Sequence, residues 1–402
     1  MICFPSLLCA ISPAGGCRAY MSRHWPEFLL QSRDGAQVED MNLTAEQMML
    51  SRAAEMQRPV SGSLELLPLC NMNCDMCYIR MDKAEVEQKG GLAAAEKWIQ
   101  LGHEMAGAGV LFLLLTGGEP LLFPDFRKLY TELKQMGMIL TINTNGTLLD
   151  EEWADFFSEH KPRRINITLY GADDDAYEKL CHYPGGFSKT IKAVQILREK
   201  GVDVKINGSV TKYNFADMEK IYQIGKRLNV PVHMDTYMLP GIHEREFPFD
   251  EQSRLLPEKA ALAEIEMRKA EMPPDVFRKY AEEMILQIEK RNAVYPDQIT
   301  CLAGNCSFAV SWEGRMRPCV TFEKPAVSAF EQGFEAAWQE VSQKAKELRL
   351  SESCVRCLLR PACKTCAASA YLETGSYDGV PEYLCRYTKE FVRLLRINID
   401  RL

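Results

Sequence analysis

Between residues 63 and 240 the chain alternates strand-like apolar runs with helix-like runs, and this alternation limits the fold more than any other feature. Residues 63–69 (SLELLPL) precede a helical pattern at 92–109, and 110–116 (VLFLLLT) precede another at 125–137. Residues 139–144 (ILTINT) lead to a helix at 151–160, and 164–169 (RINITL) to one at 187–201. Residues 202–210 (VDVKINGSV) lead to a helix at 215–228, and 230–237 (VPVHMDTY) close the series. VLFLLLT is continuously apolar, as expected of a strand covered on both faces, while the first, fourth and sixth runs partly alternate. Six strands separated by helices imply right-handed crossovers and a parallel sheet. The expected class is α/β, with curvature making the sheet a partial (β/α)6 TIM-like barrel.

Around this unit the expected organisation has five parts. Residues 1–60 form an irregular leader, 61–245 the partial barrel, 246–300 a helical bridge, 301–390 a cysteine-rich domain and 391–402 a terminal helix. The bridge carries two amphipathic patterns separated by Pro273-Pro274, with Pro257 near the first turn of the earlier one. The region after Cys301 is short on periodicity, so metal sites are expected to organise it more than a core does. At the N-terminus, ICFPSLLCAI has neither a preceding Lys or Arg nor a following A-x-A site, so it does not read as an export signal. Met21 and Met41 are alternative starts. No apolar run reaches the roughly 18 residues a membrane-spanning helix needs. A net charge of −7, with basic residues scattered through helical segments, argues against nucleic acid as a partner.

Of fifteen cysteines, eleven fall into two groups. Cys70, Cys74 and Cys77 form a C-x3-C-x2-C triplet directly after the first strand. Cys301, Cys306, Cys319, Cys354, Cys357, Cys363, Cys366 and Cys385 lie near the C-terminus. Secreted disulfide scaffolds are usually short and poor in core, so this long, unexported chain points to metal ligation in a reducing cytoplasm. A structural zinc site normally closes with four ligands, and the triplet has no fourth nearby. A [4Fe–4S] cluster needs one outer ligand per iron, so three thiolates leave one iron open to a small molecule. TGGEP directly follows the second strand. Chemistry in such barrels sits at the C-terminal ends of the strands, so TGGEP and the triplet share one rim.

The triplet together with Gly117-Gly118-Glu119-Pro120 resembles the radical S-adenosylmethionine (SAM) superfamily. The resemblance implies that the open iron is chelated by SAM, that the GGEP strip contacts the SAM amino group, and that a 5′-deoxyadenosyl radical abstracts hydrogen. Adjacent glycines allow close backbone approach to a ligand, and Glu119 offers an acceptor for an ammonium. It also places Thr168 near the ribose and Met76, where relatives often carry an aromatic residue, near the adenine. Asn145, in a TNG segment that recurs in relatives, reads equally as a SAM contact and as a turn with Gly146. Where many relatives carry an arginine for the SAM carboxylate, this chain has Cys181 and His182, and His182 reads as an ordinary surface or packing residue.

The C-terminal cysteines resemble the SPASM extension of these enzymes, which holds auxiliary [4Fe–4S] clusters. By that resemblance Cys354, Cys357, Cys363 and Cys385 close one cluster. Cys301, Cys319 and Cys366 hold the other, with Cys306 as a possible fourth ligand. A zinc ribbon built on Cys354-x2-Cys357 and Cys363-x2-Cys366 is the bland alternative. SFAVSWEGRMRPC looks most like the matching stretch of peptide maturases, implying a peptide or protein substrate, a reductant such as ferredoxin or flavodoxin, and a leader bound by a separate protein or by residues 250–292. An anaerobic sulfatase maturase is the nearest alternative, but Cys319 is followed by Val320 where those enzymes carry an aspartate. A non-catalytic iron–sulfur carrier or zinc-stapled binding protein is the reading from another class. No general base is identified, and alternation puts His233, Asp235 and Tyr237 on one face.

Overall fold

The computed structural model describes residues 44–240, 253–290 and 294–401. The alternative starts and most of the expected leader lie outside these residues, as does part of the expected bridge. The architecture is α/β, an open curved sheet continuous with the cysteine-rich C-terminal region.

Six strands run in the expected order: β1 (Ser61–Glu65), β2 (Phe112–Thr116), β3 (Ile139–Thr144), β4 (Arg164–Thr168), β5 (Val204–Ser209) and β6 (Val232–Asp235). Every neighbouring pair from β1 to β6 is parallel. Helices Ala95–Gly107, Phe126–Gln135, Glu151–Glu159, Gly186–Glu199 and Met218–Leu228 fill the crossovers. The two faces of the sheet differ in chemistry. Leu64, Leu115, Ile142, Ile165, Ile167, Ile206 and Met234 share one face and are fully buried with the helices. The opposite face is polar: Asn143 stands beside Asn166, and Asn166 beside Lys205. One layer further along, Thr168 stands beside Asn207, and Asn207 beside His233. A curved sheet with apolar residues under its helices and polar residues inside is a partial barrel lined for a polar ligand.

Two features depart from the sequence reading. Residues 45–56, expected to be irregular, form the helix Ala45–Met56. A capping box explains its start, since Thr44 accepts from the Gln47 amide while the Gln47 side chain accepts from the Thr44 amide. The region after Cys301 has more regular structure than its periodicity suggests. β7 (Ser307–Val310) pairs in parallel with β1, and β8 (Arg315–Arg317) and β9 (Val327–Ser328) continue the sheet antiparallel. Phe308, Val310, Phe334, Trp338 and Val341 belong to the main core, so hydrophobic burial helps organise this region. The bridge helices are Pro257–Glu271 and Pro274–Glu289, and the terminal helix is longer than expected, Glu382–Arg401.

Candidate cofactor site

β1 ends at Glu65, and the chain then runs through Leu67–Leu69 into the cysteine triplet. The GGEP strip packs directly on this exit: Gly118 donates its amide to Leu67 O at 2.7 Å and Glu119 to Leu69 O at 2.9 Å. A Cβ on Gly117 would lie 2.5 Å from Leu67 O, and one on Gly118 2.3 Å from Leu69 O. Backbone on backbone leaves no room for a side chain, so both positions require glycine. The close approach expected of these glycines is therefore made at least in part to the chain's own cysteine loop.

Glu119 is fully buried. Its carboxylate accepts from Asn145 N at 2.8 Å, Leu121 N at 3.1 Å and Thr144 Oγ1 at 2.8 and 2.9 Å. Burial pushes its pKa up to about 7, with the Asn145, Thr144 and Leu121 donors pulling the other way. Asn145 makes the turn the sequence allowed and also holds the cysteine loop. It precedes Gly146, whose φ of 78° makes the turn, and its Nδ2 reaches Asn71 Oδ1 at 2.8 Å and Cys70 Sγ at 3.7 Å. GGEP, Asn145 and the triplet thus form one hydrogen-bonded unit. Pro120 starts the short turn after Glu119. Met76 packs, partly buried, against the core. Thr168 ends β4 beside Asn207.

The triplet loop is held from two sides. Cys70 Sγ accepts from Met72 N at 3.4 Å, and Cys77 Sγ from Arg80 N at 3.3 Å. On the far side, Asn73 N donates to Cys181 O and Asp75 N to Leu180 O, both at 3.0 Å. His182 lies 2.7 Å from Asp75, so this half-exposed histidine also clamps the loop. Cys181 ends the helix Asp174–Cys181, which the sequence reading passed over because its apolar periodicity is short. Cys74 and Cys181 are buried in the same core cluster, with Tyr170 packed against it. Tyr170 lies two residues beyond Thr168, a position the motif TLYG could have flagged.

Of the C-terminal cysteines, Cys354, Cys357, Cys363 and Cys385 line one cavity of about 110 Å³, with Arg360 and Lys389 at its wall. Burial and then Cys363 push the Cys354 thiol up, while Arg360 pulls it down. Burial, then Cys319, with Cys366 a smaller cause, pushes Cys301 up to about 12, which groups these three thiols. Cys306 is different. It is fully buried against Leu50 and Ala53 of the N-terminal helix, and its thiol donates to Leu50 O at 3.6 Å. Burial pushes it up to about 12, with Cys301 as a lesser cause. The structure thus gives Cys306 a packing role, because the helix the sequence reading missed covers it.

The donor sets suit iron–sulfur clusters: soft thiolates, three after β1 and four around one cavity. Among the described residues, no three His, Cys, Asp or Glu side chains converge on a single metal-ion position.

His233, Asp235 and Tyr237 were left open as general bases. His233 Nδ1 lies 3.0 Å from Glu271 of the bridge. The Tyr237 hydroxyl donates to Glu373 at 2.8 Å, and Arg254 pairs with the same carboxylate. Burial, then the Glu373 charge, pushes Tyr237 well up, so the phenol is a poor base. No helix among the described residues is long and apolar enough to cross a membrane.

Residues 64–225 match the family described as the Radical SAM superfamily. An AdoMet-dependent heme synthase of Methanosarcina barkeri is 27% identical over 326 residues, which cover 78% of this chain and 92% of that protein. The antilisterial bacteriocin subtilosin biosynthesis protein AlbA of Bacillus subtilis is 22% identical over 314 residues, covering 76% of this chain and 66% of that one. The crystal structure of Streptococcus suis SuiB shares the fold with a TM-score of 0.60 at 17% identity, over 89% of this chain and 87% of that chain. The C-terminal cysteine-rich region fits a SPASM domain. Residues 64–225 are a radical SAM domain, the domain of enzymes that work with a [4Fe–4S] cluster and SAM.

Proposed function

We propose that this enzyme oxidatively modifies a ribosomally made peptide in the cytoplasm, forming a thioether or carbon–carbon crosslink, with ferredoxin or flavodoxin as reductant. Cys70, Cys74 and Cys77 would hold the catalytic cluster. Gly117, Gly118, Glu119, Pro120, Asn145, Thr168 and Met76 would shape the SAM site. Cys354, Cys357, Cys363 and Cys385 would hold one auxiliary cluster, and Cys301, Cys319 and Cys366 another. Together these groups supply hydrogen-atom abstraction from an unactivated carbon and a route for the electron left behind. The protein's share is to position the reactants and exclude water.

Two relatives pull in different directions. AlbA is named for bacteriocin biosynthesis, and SuiB has been crystallised with its precursor peptide SuiA. The other relative is named for the synthesis of heme, a tetrapyrrole that carries carboxylates. One observation favours the peptide. The fully buried cations of the described residues are Lys205, Arg254, Arg268 and Arg317, and all four are engaged. Arg254 pairs with Glu373, Arg268 with Glu264 and Arg317 with Glu65. A carboxylate-rich substrate held in the interior would need cations to meet its charge, and breaking these pairs would strand buried carboxylates.

The test is to incubate the reduced, reconstituted enzyme and SAM separately with three substrates: a short peptide encoded beside its gene, a propionate-bearing iron tetrapyrrole, and a sulfatase peptide. A peptide lighter by two hydrogen atoms, with 5′-deoxyadenosine released, is the expected result. Decarboxylated tetrapyrrole or formylglycine would replace this reading with another.

A further inference from the structure

We infer that the cavity beside the β7–β8 hairpin is a second binding site, which anchors a stretch of the substrate peptide carrying charges of both signs, close to the residue being modified. The inference rests on the substrate being a peptide. It goes beyond that reading by naming the surface that holds the peptide and the chemistry it selects.

The cavity has a volume of about 730 Å³ and lies between the hairpin, residues 323–326, the end of the helix Phe334–Glu347 and the loop at Tyr377. Six exposed charged residues line it: Lys89, Arg315 and Lys324, with Glu313, Glu323 and Glu347. None of the six forms a side-chain ion pair among the described residues, so all are available to a ligand. Lys344 and Arg317, on the same wall, are already paired with Glu340 and Glu65. The six free charges sum to zero. A phosphate-bearing ligand needs surplus cations, which this wall lacks, whereas a polypeptide with acidic and basic side chains meets it with complementary charge. Tyr377 adds an apolar contact. Its ring stacks on Tyr371 at 4.7 Å between centroids and its hydroxyl donates to Lys324 O, so it is held rigidly, as suits a peptide anchor.

The sheet places this cavity beside the cofactor rim. β7 runs parallel to β1 with Val310 beside Leu64, so the next residues, Ser311 and Glu65, lie at one level. Ser311 lines the cavity, and so does Arg317, whose guanidinium pairs with Glu65. Glu65 in turn accepts from Tyr78, next to Cys77. The cavity therefore flanks the end of the sheet that carries the cysteine loop and GGEP. In the strand order β2-β1-β7-β8, three intervals of about 4.8 Å separate β8 from the strand that leads into GGEP, about 14 Å in all. An extended chain covers about 3.3 Å per residue, so roughly four or five residues join the cavity to the reacting rim.

The experiment uses the fully reconstituted enzyme, SAM and a short peptide encoded beside its gene, and measures KM and kcat for peptide modification. Arg315→Glu and Lys324→Glu are each expected to raise KM roughly fivefold, the scale of an exposed ion pair turned repulsive. Their kcat, iron content and peptide-free cleavage of SAM should stay at wild-type values. Lys192→Glu, an exposed charge change on the helix Gly186–Glu199 and outside the cavity, should leave KM alone. Among peptides with one acidic residue changed to lysine, one altered at least about four residues from the modified position should restore the KM of Arg315→Glu. Should Arg315→Glu fail to fold, Lys324→Glu with the same peptides decides. Unchanged KM in the cavity variants, while wild type modifies the peptide, overturns the inference and leaves the peptide reading standing. An equal rise in Lys192→Glu also overturns it, because net charge alone would then be responsible. A wild type that leaves the peptide unmodified overturns the peptide reading, and the inference falls with it.

Discussion

Glu65, at the end of β1, and Arg317, at the end of β8, form a buried ion pair that ties the radical SAM domain to the cysteine-rich region. The side chains are 1% and 5% exposed, and Glu65 also accepts from the Tyr78 hydroxyl at 2.7 Å, one residue beyond Cys77. The same pair therefore links the cysteine loop to the β7–β8 hairpin. Removing one partner strands the other in a low-dielectric interior. Arg317→Met is expected to cost about 3–5 kcal/mol, while Glu65→Leu with Arg317→Met should recover much of that loss. Thermal unfolding of the two variants and wild type measures the difference.

Gly118→Ala is expected to displace the cysteine loop. Its Cβ would stand 2.3 Å from Leu69 O, which is backbone and cannot rotate away. The strip or the loop must shift, at a cost of about 1–3 kcal/mol. Because the shift falls between GGEP and Cys70, iron retention and SAM binding should weaken together. Iron analysis and equilibrium dialysis with SAM check this. A variant that loses stability but binds both normally would mean the contact serves packing alone.

The barrel and its rim were legible because their signals are local and repeated. The FLLLT part of VLFLLLT is buried along its whole length as β2, and the triplet and GGEP each follow a strand directly. What escaped was set by tertiary contact or carried by short elements. β7, β8 and β9 have only four, three and two residues, too few for periodicity to register. Cys181 meets the cysteine loop, its carbonyl accepting from the Asn73 amide, because the helix after β4 folds against that loop, which no spacing in the chain announces. The N-terminal helix is another matter. The T-x-x-Q box at Thr44 and Gln47 was readable, and missing it hid the element that covers Cys306.

Cys306→Ala should leave iron content unchanged, while Cys301→Ala should remove about four irons per chain. The contrast follows from their surroundings. Cys301 is grouped with Cys319 and Cys366, while Cys306 packs under Leu50 and Ala53. The cost of Cys306→Ala should instead appear as a modest loss of stability, about 1 kcal/mol for a small buried side chain. Iron analysis alongside thermal unfolding distinguishes the two sites. Equal iron loss in both variants would return Cys306 to the ligand set.

Glu119 gives a stability difference that depends on pH. Burial raises its folded pKa from 4.5 to about 7, so between those values the folded chain holds a proton that the unfolded chain has released. The native state binds more protons there, and stability falls as pH rises. The contribution is fully present below pH 4.5 and is lost as pH passes 7. A shift of this size corresponds to about 3 kcal/mol. Glu119→Gln cannot ionise, and it leaves at least one of the donors from Asn145, Leu121 and Thr144 poorly matched, a penalty that does not vary with pH. Subtracting variant from wild type cancels every other titrating group. The wild type should therefore be ahead at pH 5 and lose ground steadily to pH 8, as read by denaturant unfolding at each pH. A difference that stays flat across that range would mean the three donors hold Glu119 ionised throughout.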